Sequence, residues 1–547
     1  MGQMTKNTPP SNPTLIEKLD KYFENNESKI LWMSLLLTSV FGLLLFEPKV
    51  SIGGDDSMYI NRAFNFIYKG VFPTFQGPLY PIFLGLIIYI AGTKLLLLKL
   101  ISMLCYLGHQ WFTYKLFTNH LSPFVLFVLL VLISTSAAIL FYSFSTYNEV
   151  FYLLLQSIFL YQFSKSYLDG GSHDFILKRD YKNILISSFL LVLLATTKNI
   201  GLVAAMGTII YFLFVKNWKM SIAIAFCFVV FMFSFNFLKT TFWDVKEMQI
   251  SSQLDALMTK VPYKQDSGEE DMYGFLMRLV DNSKVYLGYH FRNIFGLANN
   301  EEIESNSLVT LLIYALFIPG FFVAFRKSKF WLFMGVFTST ALGATFLILQ
   351  TFWLQERLII VFTPLLLAFL LYVLHMLFTE KLKKYSIIFV LLCTIIVSAN
   401  IIRTFMQIPE QIKVNSKYIS GDRYYGFPED WIYYLKMTAW VSENLPEETY
   451  VACRKPGMAF VYSGGKDFYG IWNVPSKDPE FLYNKLKDAG VTHVIMASLR
   501  TNPDDPNARI INTVRRYLSA INEAYPGKLK LVHQIGDNWP TYLYELH

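Results

Sequence analysis

Two adjacent carboxylates, Asp55 and Asp56, follow the first long apolar segment of the chain and stand directly behind Gly53 and Gly54. The stretch Gly-Asp-Asp-Ser before Met-Tyr-Ile-Asn-Arg-Ala-Phe is typical of a helix start, where acidic side chains are favourable. A carboxylate at such a position can also accept a proton from a hydroxyl group or hold a metal ion. The pair is therefore open to two interpretations, a helix cap or a site for chemistry.

The composition places this pair in a membrane protein. Of the 547 residues, 54% are hydrophobic and 16% are charged, and the mean hydropathy is +0.37. Soluble domains carry about 25% charged residues. The net charge of +8 fits the usual excess of Lys and Arg on cytoplasmic loops, so nucleic acid is not an expected partner. The four cysteines show neither metal-ligand spacing nor a disulfide pattern.

The apolar runs predict a polytopic α-helical membrane protein with about eleven spans. A further run, 79–92, would be only about 21 Å long as a helix, and we expect it to lie on or dip into the outer surface. The predicted spans are 30–47, 96–118, 122–143, 148–164, 183–197, 200–215, 218–238, 307–325, 330–350, 358–378 and 385–402.

The distribution of Lys and Arg predicts the orientation. With a cytoplasmic N-terminus and 79–92 outside, the basic connections near 178–182, 216–219, 326–329 and 381–384 fall inside. An alternative joins 183–215 into one long helix, which would place Lys178, Arg179 and Lys182 outside. The first arrangement satisfies the positive-inside rule better.

Three regions follow from this topology: a cytoplasmic segment 1–29, a transmembrane region 30–405 with external loops 48–95 and 239–306, and an external domain 406–547. The last region alternates helix and strand patterns, which predicts a soluble α/β domain. Its motifs Arg454-Lys-Pro-Gly457 and Ser463-Gly-Gly-Lys466 fit turns. We expect this domain to cover the outer opening and to help select the acceptor.

A second motif, Gln76-Gly-Pro-Leu-Tyr-Pro81, leads into the run 79–92. The ordered set of first span, Gly-Asp-Asp-Ser, Gly70 and this Gly-Pro-Leu-Tyr-Pro element resembles the first external loop of the C-type glycosyltransferases (GT-C). That superfamily includes the protein O-mannosyltransferases and the aminoarabinose transferases that modify lipid A. The O-mannosyltransferases have Asp-Glu where this chain has Asp-Asp, so both carboxylates are kept.

The resemblance extends over roughly residues 30–405 and assigns further candidates. Glu149 is similar to the acidic residue that opens the fourth span of relatives, Lys198 occupies the place of an Arg in a common turn, and Arg357 lies in an element similar to Glu-Arg-Tyr before a late span. The resemblance implies that Asp55 or Asp56 is the base, with Asp55 favoured, and that the other orients a hydroxyl or holds a metal. The expected phosphate-binding residues are Lys198, Arg357 and Lys99. Glu149 and Tyr59 are expected to line the site, as are His290 and Arg292, which precede the span at 307.

The function expected from this resemblance is transfer of a sugar from a polyprenyl-phosphate donor to an acceptor hydroxyl, with inversion, at the outer face of a bacterial inner membrane. A divalent metal at Asp55 and Asp56 is an open alternative, and no other cofactor is expected. The acceptor is a lipid, a glycan or a protein. The rival interpretations are a transporter or flippase for lipid-linked sugars and a non-catalytic accessory member of the same superfamily.

Overall fold

The computed structural model describes residues 13–74, 77–169, 176–245, 257–261, 268–298, 303–501 and 509–547. Several parts of the sequence predictions lie outside these residues: 1–12 of the N-terminal segment, Gln76, parts of the loop 239–306 and the first residues of a helix expected near 507–524. The described chain is a bundle of helices followed by a small domain with a five-stranded sheet. This is the fold class that the sequence predicts.

Twenty-two α-helices are described, numbered α1 to α22 in chain order. They are Leu15–Glu24, Glu27–Leu44, Asp55–Lys69, Leu79–Ala91, Leu95–Phe117, Pro123–Thr135, Ala137–Ser143, Asn148–Phe163, Leu177–Thr197, Gly201–Phe214, Trp218–Phe242, Met272–Val285, Phe291–Ile294, Ser307–Lys327, Lys329–Ile348, Arg357–Ile360, Thr363–Met376, Ser386–Ile419, Glu429–Asn444, Pro456–Tyr462, Pro479–Asp488 and Thr513–Ala524. Short π-helical segments extend three of them, at Ser164–Leu168, Tyr286–His290 and Leu377–Lys381.

The prediction of eleven spans is not confirmed. Eight described helices are long and apolar enough to cross a membrane, or nine if the bent pair Pro123–Thr135 and Ala137–Ser143 is one span. This pair was expected as one straight span, but it bends by 61° at Ser136, whose extended backbone ends the first helix and whose hydroxyl caps the second. The predicted spans 148–164 and 200–215 form helices of only 16 and 14 residues.

The apolar run 79–92 forms the 13-residue helix α4 (Leu79–Ala91), which is too short to be a candidate span. It packs along α3 (Asp55–Lys69), where a Cβ on Gly85 would lie 2.9 Å from a side-chain atom of Ile67. Because Gly85 has no side chain, the two helices approach closely. The loop after the first span is therefore a packed pair of helices.

The alternative of a single long helix over 183–215 is wrong. Lys198 has an extended backbone that ends α9 (Leu177–Thr197), and α10 (Gly201–Phe214) returns against it. A Cβ on Gly201 would lie 2.3 Å from the backbone of Leu194, so this tight reversal requires glycine. The turn that carries Lys198 is thus fixed by a helical hairpin.

The opposite end of the bundle is formed by α1 (Leu15–Glu24), an amphipathic helix that begins with a capping box at Thr14 and Glu17. Glu17 accepts from Lys383 at 2.8 Å, and Lys327 pairs with Glu380 at 2.7 Å. Lys327 and Lys383, two of the basic residues expected on the cytoplasmic side, thus lie at the end of the bundle away from Asp55.

The C-terminal domain is an α/β domain, as predicted. Its sheet has the strand order β2-β1-β3-β5-β4, in which β1, β2 and β3 are parallel and β5 is antiparallel to both neighbours. Apolar clusters cover both faces of the sheet. The strands are Val451–Cys453, Phe468–Gly470, His493–Ala497, Leu529–Ile535 and Thr541–Leu546. The sequence patterns did not predict β2 or the helix α20 (Pro456–Tyr462), which connects β1 to β2.

We predict that the loop with Asp55 and the C-terminal domain share the outer side of the membrane, while Lys327 faces the cytoplasm. Single cysteines at Lys477 and Lys327, introduced into a chain without its own four cysteines, should react differently with an impermeant thiol reagent in intact cells. Lys477→Cys should be labelled, and Lys327→Cys should be labelled only after permeabilisation. External labelling at position 327 contradicts this orientation.

Candidate active site

The start of helix α3 presents the two carboxylates in different environments. Asp56 is fully buried, and its oxygens accept from the Ser51 amide at 2.7 Å, the Ser51 hydroxyl at 3.1 Å and the Ser57 amide at 2.8 Å. These bonds close the turn 51–56 around Gly54, whose φ of +84° suits glycine. Asp56 therefore holds the helix start in place, while the Asp55 side chain remains 34% exposed.

Asp55 forms an ion pair with Arg357, whose Nη2 lies 2.6 Å from Asp55 Oδ2. The guanidinium of Arg357 also donates to Gln355 at 2.7 Å and lies over the ring of Tyr147 at 5.4 Å. Tyr147 in turn shares a 2.7 Å hydrogen bond with Ser51. Three segments far apart in the chain therefore converge on one carboxylate.

A second ion pair lies in the same region. Lys198 donates to Glu149 at 2.7 Å, and the Glu149 side chain is only 2% exposed. The neighbouring Asn148 donates to the carbonyl of Thr197 at 3.0 Å, so the start of α8 (Asn148–Phe163) is bonded to the turn after α9. Electrostatic coupling of Lys198 to both Arg357 and Asp55 shows that the two ion pairs belong to one cluster.

Lys99 lies in the first turn and a half of α5 (Leu95–Phe117) and is fully buried. Its ammonium donates to the carbonyl of Glu47 at 2.7 Å and to the carbonyl of Lys49. These bonds connect α5 to the segment that follows the first candidate span, Glu27–Leu44, and precedes the turn with Asp56. The observed contacts of Lys99 are thus structural ones.

The segment with His290 and Arg292 adjoins the site through a different residue, Asn293. Asn293 donates at 3.1 Å to Glu356, the neighbour of Arg357. His290 is buried, neither ring nitrogen has a hydrogen-bond partner among the described residues, and burial lowers its pKa to about 4. A neutral imidazole does not attract a phosphate by charge. Arg292 is half-buried on the short helix Phe291–Ile294.

Tyr59 is buried one turn after the carboxylates, against the ring of Tyr80 from the Gly-Pro-Leu-Tyr-Pro element. Burial raises its pKa well above the ordinary range. The guanidinium of Arg62 lies over its other side at 5.9 Å. Tyr59 thus joins the two motifs of the first loop that carried the sequence resemblance.

Sequence reasoning missed Lys455, which the C-terminal domain places at the start of α3. Its ammonium donates to the carbonyls of Gly53 at 2.8 Å and Ile52 at 3.1 Å. The signal was the motif Arg454-Lys-Pro-Gly457, which was interpreted as a turn. Pro456 is in fact the first residue of α20 (Pro456–Tyr462), and this helix packs on α3.

The charges around Asp55 set its protonation state. Burial alone would raise the pKa of Asp55, but Arg357, Lys455 and Arg62 together lower it below its ordinary value. Burial instead raises the pKa of Asp56 despite its three hydrogen bonds. Burial, followed by repulsion from Arg454, lowers the pKa of Lys455 to about 8. Asp55 is therefore ionised at neutral pH.

A metal centre at the carboxylate pair has little support from the donor set. Within the described part of the chain, no group of three His, Cys, Asp or Glu residues could hold a metal ion. Both oxygens of Asp56 already accept from amide or hydroxyl donors. Asp55 faces cations, so the cluster compensates its charge with Arg and Lys side chains.

Comparison with known proteins gives the fold its class. No protein-family profile matches the chain, and no curated protein matches its sequence. The structure is similar to the Archaeoglobus fulgidus oligosaccharyltransferase tethered with an acceptor peptide, with a TM-score of 0.51 and 13% identity over 86% of this chain and 68% of that chain. It is also similar to ArnT from Cupriavidus metallidurans bound to undecaprenyl phosphate, with a TM-score of 0.51 and 11% identity over 94% of this chain and 97% of that chain.

Both of these proteins have the fold of the C-type glycosyltransferases. The chain has this fold along most of its length, which confirms the fold implied by the sequence resemblance. At identities of 11% and 13% the similarity concerns the fold alone. The reaction therefore depends on the side chains that cluster around Asp55.

We predict that Glu149 and Lys198 depend on each other for stability. Removing one partner of a buried ion pair typically costs about 3–5 kcal/mol, whereas replacing both is often nearly neutral. Lys198→Met should therefore lower the Tm of the purified protein in detergent, and Glu149→Gln combined with Lys198→Met should recover most of the loss. A double variant no more stable than Lys198→Met would contradict this coupling.

Proposed function

We propose that the protein is a glycosyltransferase that moves a sugar from a polyprenyl-phosphate donor to an acceptor hydroxyl at the outer face of the membrane. The observation that carries this proposal is the ion pair between Asp55 and Arg357, in the cluster that also contains Glu149 and Lys198. It puts a carboxylate that can accept a proton beside a cation that can hold a phosphate. Both groups are needed when a hydroxyl displaces a sugar from a phosphate.

Asp55 is the proposed base. Its side chain is reachable and ionised, whereas the oxygens of Asp56 are buried and occupied by the turn 51–57. The acceptor hydroxyl would lose its proton to Asp55 as its oxygen attacks the anomeric carbon. The bond from that carbon to the phosphate oxygen breaks, and the leaving group is the polyprenyl phosphate. Direct displacement inverts the anomeric configuration.

Arg357 has two partners in this scheme. It pairs with Asp55 in the structure, and its proposed second partner is the donor phosphate. When the phosphate draws Arg357 away, Asp55 loses its strongest neutralising contact and becomes a better base. Donor binding would thereby activate the acceptor side of the reaction. Lys198 is the second proposed phosphate contact, and its ammonium donates to Glu149.

Undecaprenyl phosphate is a suitable donor carrier for this scheme because it occupies the ArnT structure to which this chain is similar, and a dolichol phosphate is present in a structure of the archaeal oligosaccharyltransferase AglB. The acceptor hydroxyl could belong to a lipid, a glycan or a protein. We further propose a bacterial inner membrane as the location, with the cluster and the C-terminal domain on the periplasmic side.

The position of the charged cluster favours a transferase over a transporter. Transport pathways place charged residues near the middle of spans. Here Glu149 is the second residue of its helix, Lys198 follows the end of another, and Arg357 opens a short helix outside the candidate spans. The cluster is thus built at helix ends, where a lipid phosphate lies.

We predict that Asp55→Asn loses most transfer, by about 10²–10⁴-fold, because a positioned base contributes about that factor. The variant should keep or gain affinity for undecaprenyl phosphate, since Arg357 is released from its carboxylate. Transfer is measured as release of undecaprenyl phosphate from its sugar-loaded form in membranes with native acceptors, and affinity is measured with undecaprenyl phosphate alone.

Asp56→Asn is the matched comparison for this experiment. Asparagine has one acceptor oxygen where the Asp56 carboxylate has two, so it cannot keep all three hydrogen bonds. This variant should therefore lower the Tm as well as the rate. Near-normal transfer by both Asp55→Asn and Asp56→Asn would reduce the pair to a helix start and would refute the proposed chemistry.

We predict that loss of the protein changes one pool of glycoconjugates. Mass spectrometry of lipids, glycans and glycoproteins from cells with the wild-type protein, without it, and with Asp55→Asn should show the same missing sugar in the second and third samples. Identical pools in all three samples would contradict the transferase and favour a transporter or accessory role.

A further inference from the structure

We propose that Lys455 is a positioning residue through which the C-terminal domain holds the turn before Asp55 and completes the reaction site. This inference rests on the proposed function, because it assigns Lys455 a part in the reaction of Asp55. The C-terminal domain is then a structural component of the site in addition to any part in acceptor selection.

The first observation is the set of contacts made by the ammonium. Lys455 donates to two successive carbonyls, those of Ile52 and Gly53, which lie in the same turn as the Asp56 hydrogen bonds. A Cβ on Gly54 would lie 3.3 Å from Cδ and 3.4 Å from Nζ of Lys455. The lysine therefore lies directly on the backbone that leads into Asp55.

The second observation is how firmly Lys455 itself is held. Its carbonyl accepts from the buried Tyr434 at 2.9 Å, and its ammonium lies 5.7 Å from the ring centroid of Trp431. Both aromatic residues belong to α19 (Glu429–Asn444), in the apolar core of the domain. Lys455 thus connects the core of the C-terminal domain to the turn and restricts where the turn can lie.

The third observation is the docking of the domain on α3. A Cβ on Gly457 would lie 2.7 Å from the amide nitrogen of Met58, so only glycine permits this approach. Phe460 packs into the apolar cluster with Tyr59. Asp467 pairs with Lys69 at 2.7 Å near the other end of α3. These contacts place Lys455 at the helix start and leave it little freedom.

The charge of Lys455 complements its contacts. Asp55 is faced by Arg357 from the helix before a late span, by Arg62 from its own helix, by Lys198 from the turn after α9 and by Lys455 from the C-terminal domain. The phenols of Tyr59, Tyr142 and Tyr147 are also near. Lys455 is faced by Arg454, Asp55, Asp56 and Arg357. If Arg357 turns to the donor phosphate, Lys455 stays beside Asp55, because its hydrogen bonds are to backbone carbonyls.

The test compares Lys455→Met and Lys455→Arg with the control Lys466→Met. Lys466 lies in the same domain and also donates to two carbonyls, those of Pro446 and Glu447, but these are within the domain. Lys455→Met should lower kcat at least about tenfold, since small misplacements of a reacting group have effects of that size or larger. Its affinity for undecaprenyl phosphate should stay near the wild-type value, Lys455→Arg should recover part of the rate, and Lys466→Met should behave as wild type.

The pH profile supplies a readout that a purely structural lysine would not move. Lys455 lowers the pKa of Asp55, so its loss raises that pKa. The rate falls when Asp55 becomes protonated, and Lys455→Met should therefore lose activity at a higher pH than the wild type as the solution is acidified. Gly457→Val, which keeps the lysine but pushes the domain away from Met58, should show the same shift.

The outcomes are separable from those of the proposed function. A wild-type rate and pH profile for Lys455→Met, with Asp55→Asn inactive, overturns the role of Lys455 alone. Equal losses in Lys455→Met and Lys466→Met with an unmoved pH profile also overturn it, because they indicate general destabilisation of the domain. Full transfer by Asp55→Asn in the same membranes overturns the proposed function itself.

Discussion

The ion pair between Asp55 and Arg357 is the interaction around which this end of the helical bundle is organised. A charged carboxylate at a mostly buried position is stable only with a cation close by. Arg357 supplies that cation from a segment about 300 residues further along the chain, and its guanidinium is held by Gln355 and Tyr147. The ends of several helices therefore have to meet at one point.

Much of this arrangement could be predicted from the sequence, because the signals were local. The apolar runs predicted the membrane class and a helix over 79–92 too short to span, and alternating patterns predicted the C-terminal α/β domain. The span count was less secure, since helices of 14 and 16 residues and a bend of 61° at Ser136 do not follow from hydropathy. The resemblance supplied Asp55, Glu149, Lys198 and Arg357, and the structure brings these four side chains into one cluster.

What could not be predicted depends on contacts between distant parts of the chain. Lys99 was predicted to bind phosphate because it lies about one turn into a span where relatives often carry Arg, and its hydrogen bonds to the carbonyls of Glu47 and Lys49 do not follow from the sequence. Lys455 was interpreted as part of a turn. Its partners, the carbonyls of Ile52 and Gly53, lie about 400 residues away in another domain, so no local pattern indicates them. Asp55 and Asp56 are identical in type and adjacent, and only their surroundings distinguish the partly exposed carboxylate of Asp55 from the buried one of Asp56.

The contact between Lys455 and Gly53 joins residues 402 positions apart, and this separation has a consequence for biosynthesis. At about 5–20 residues per second, the ribosome needs about 20–80 s to add that length of chain. During this time the loop with Asp55 has already been inserted, while the lysine that holds its turn does not yet exist. During this interval the contact between Lys455 and Gly53 is missing, and it can form only after the C-terminal domain has been synthesised and has folded.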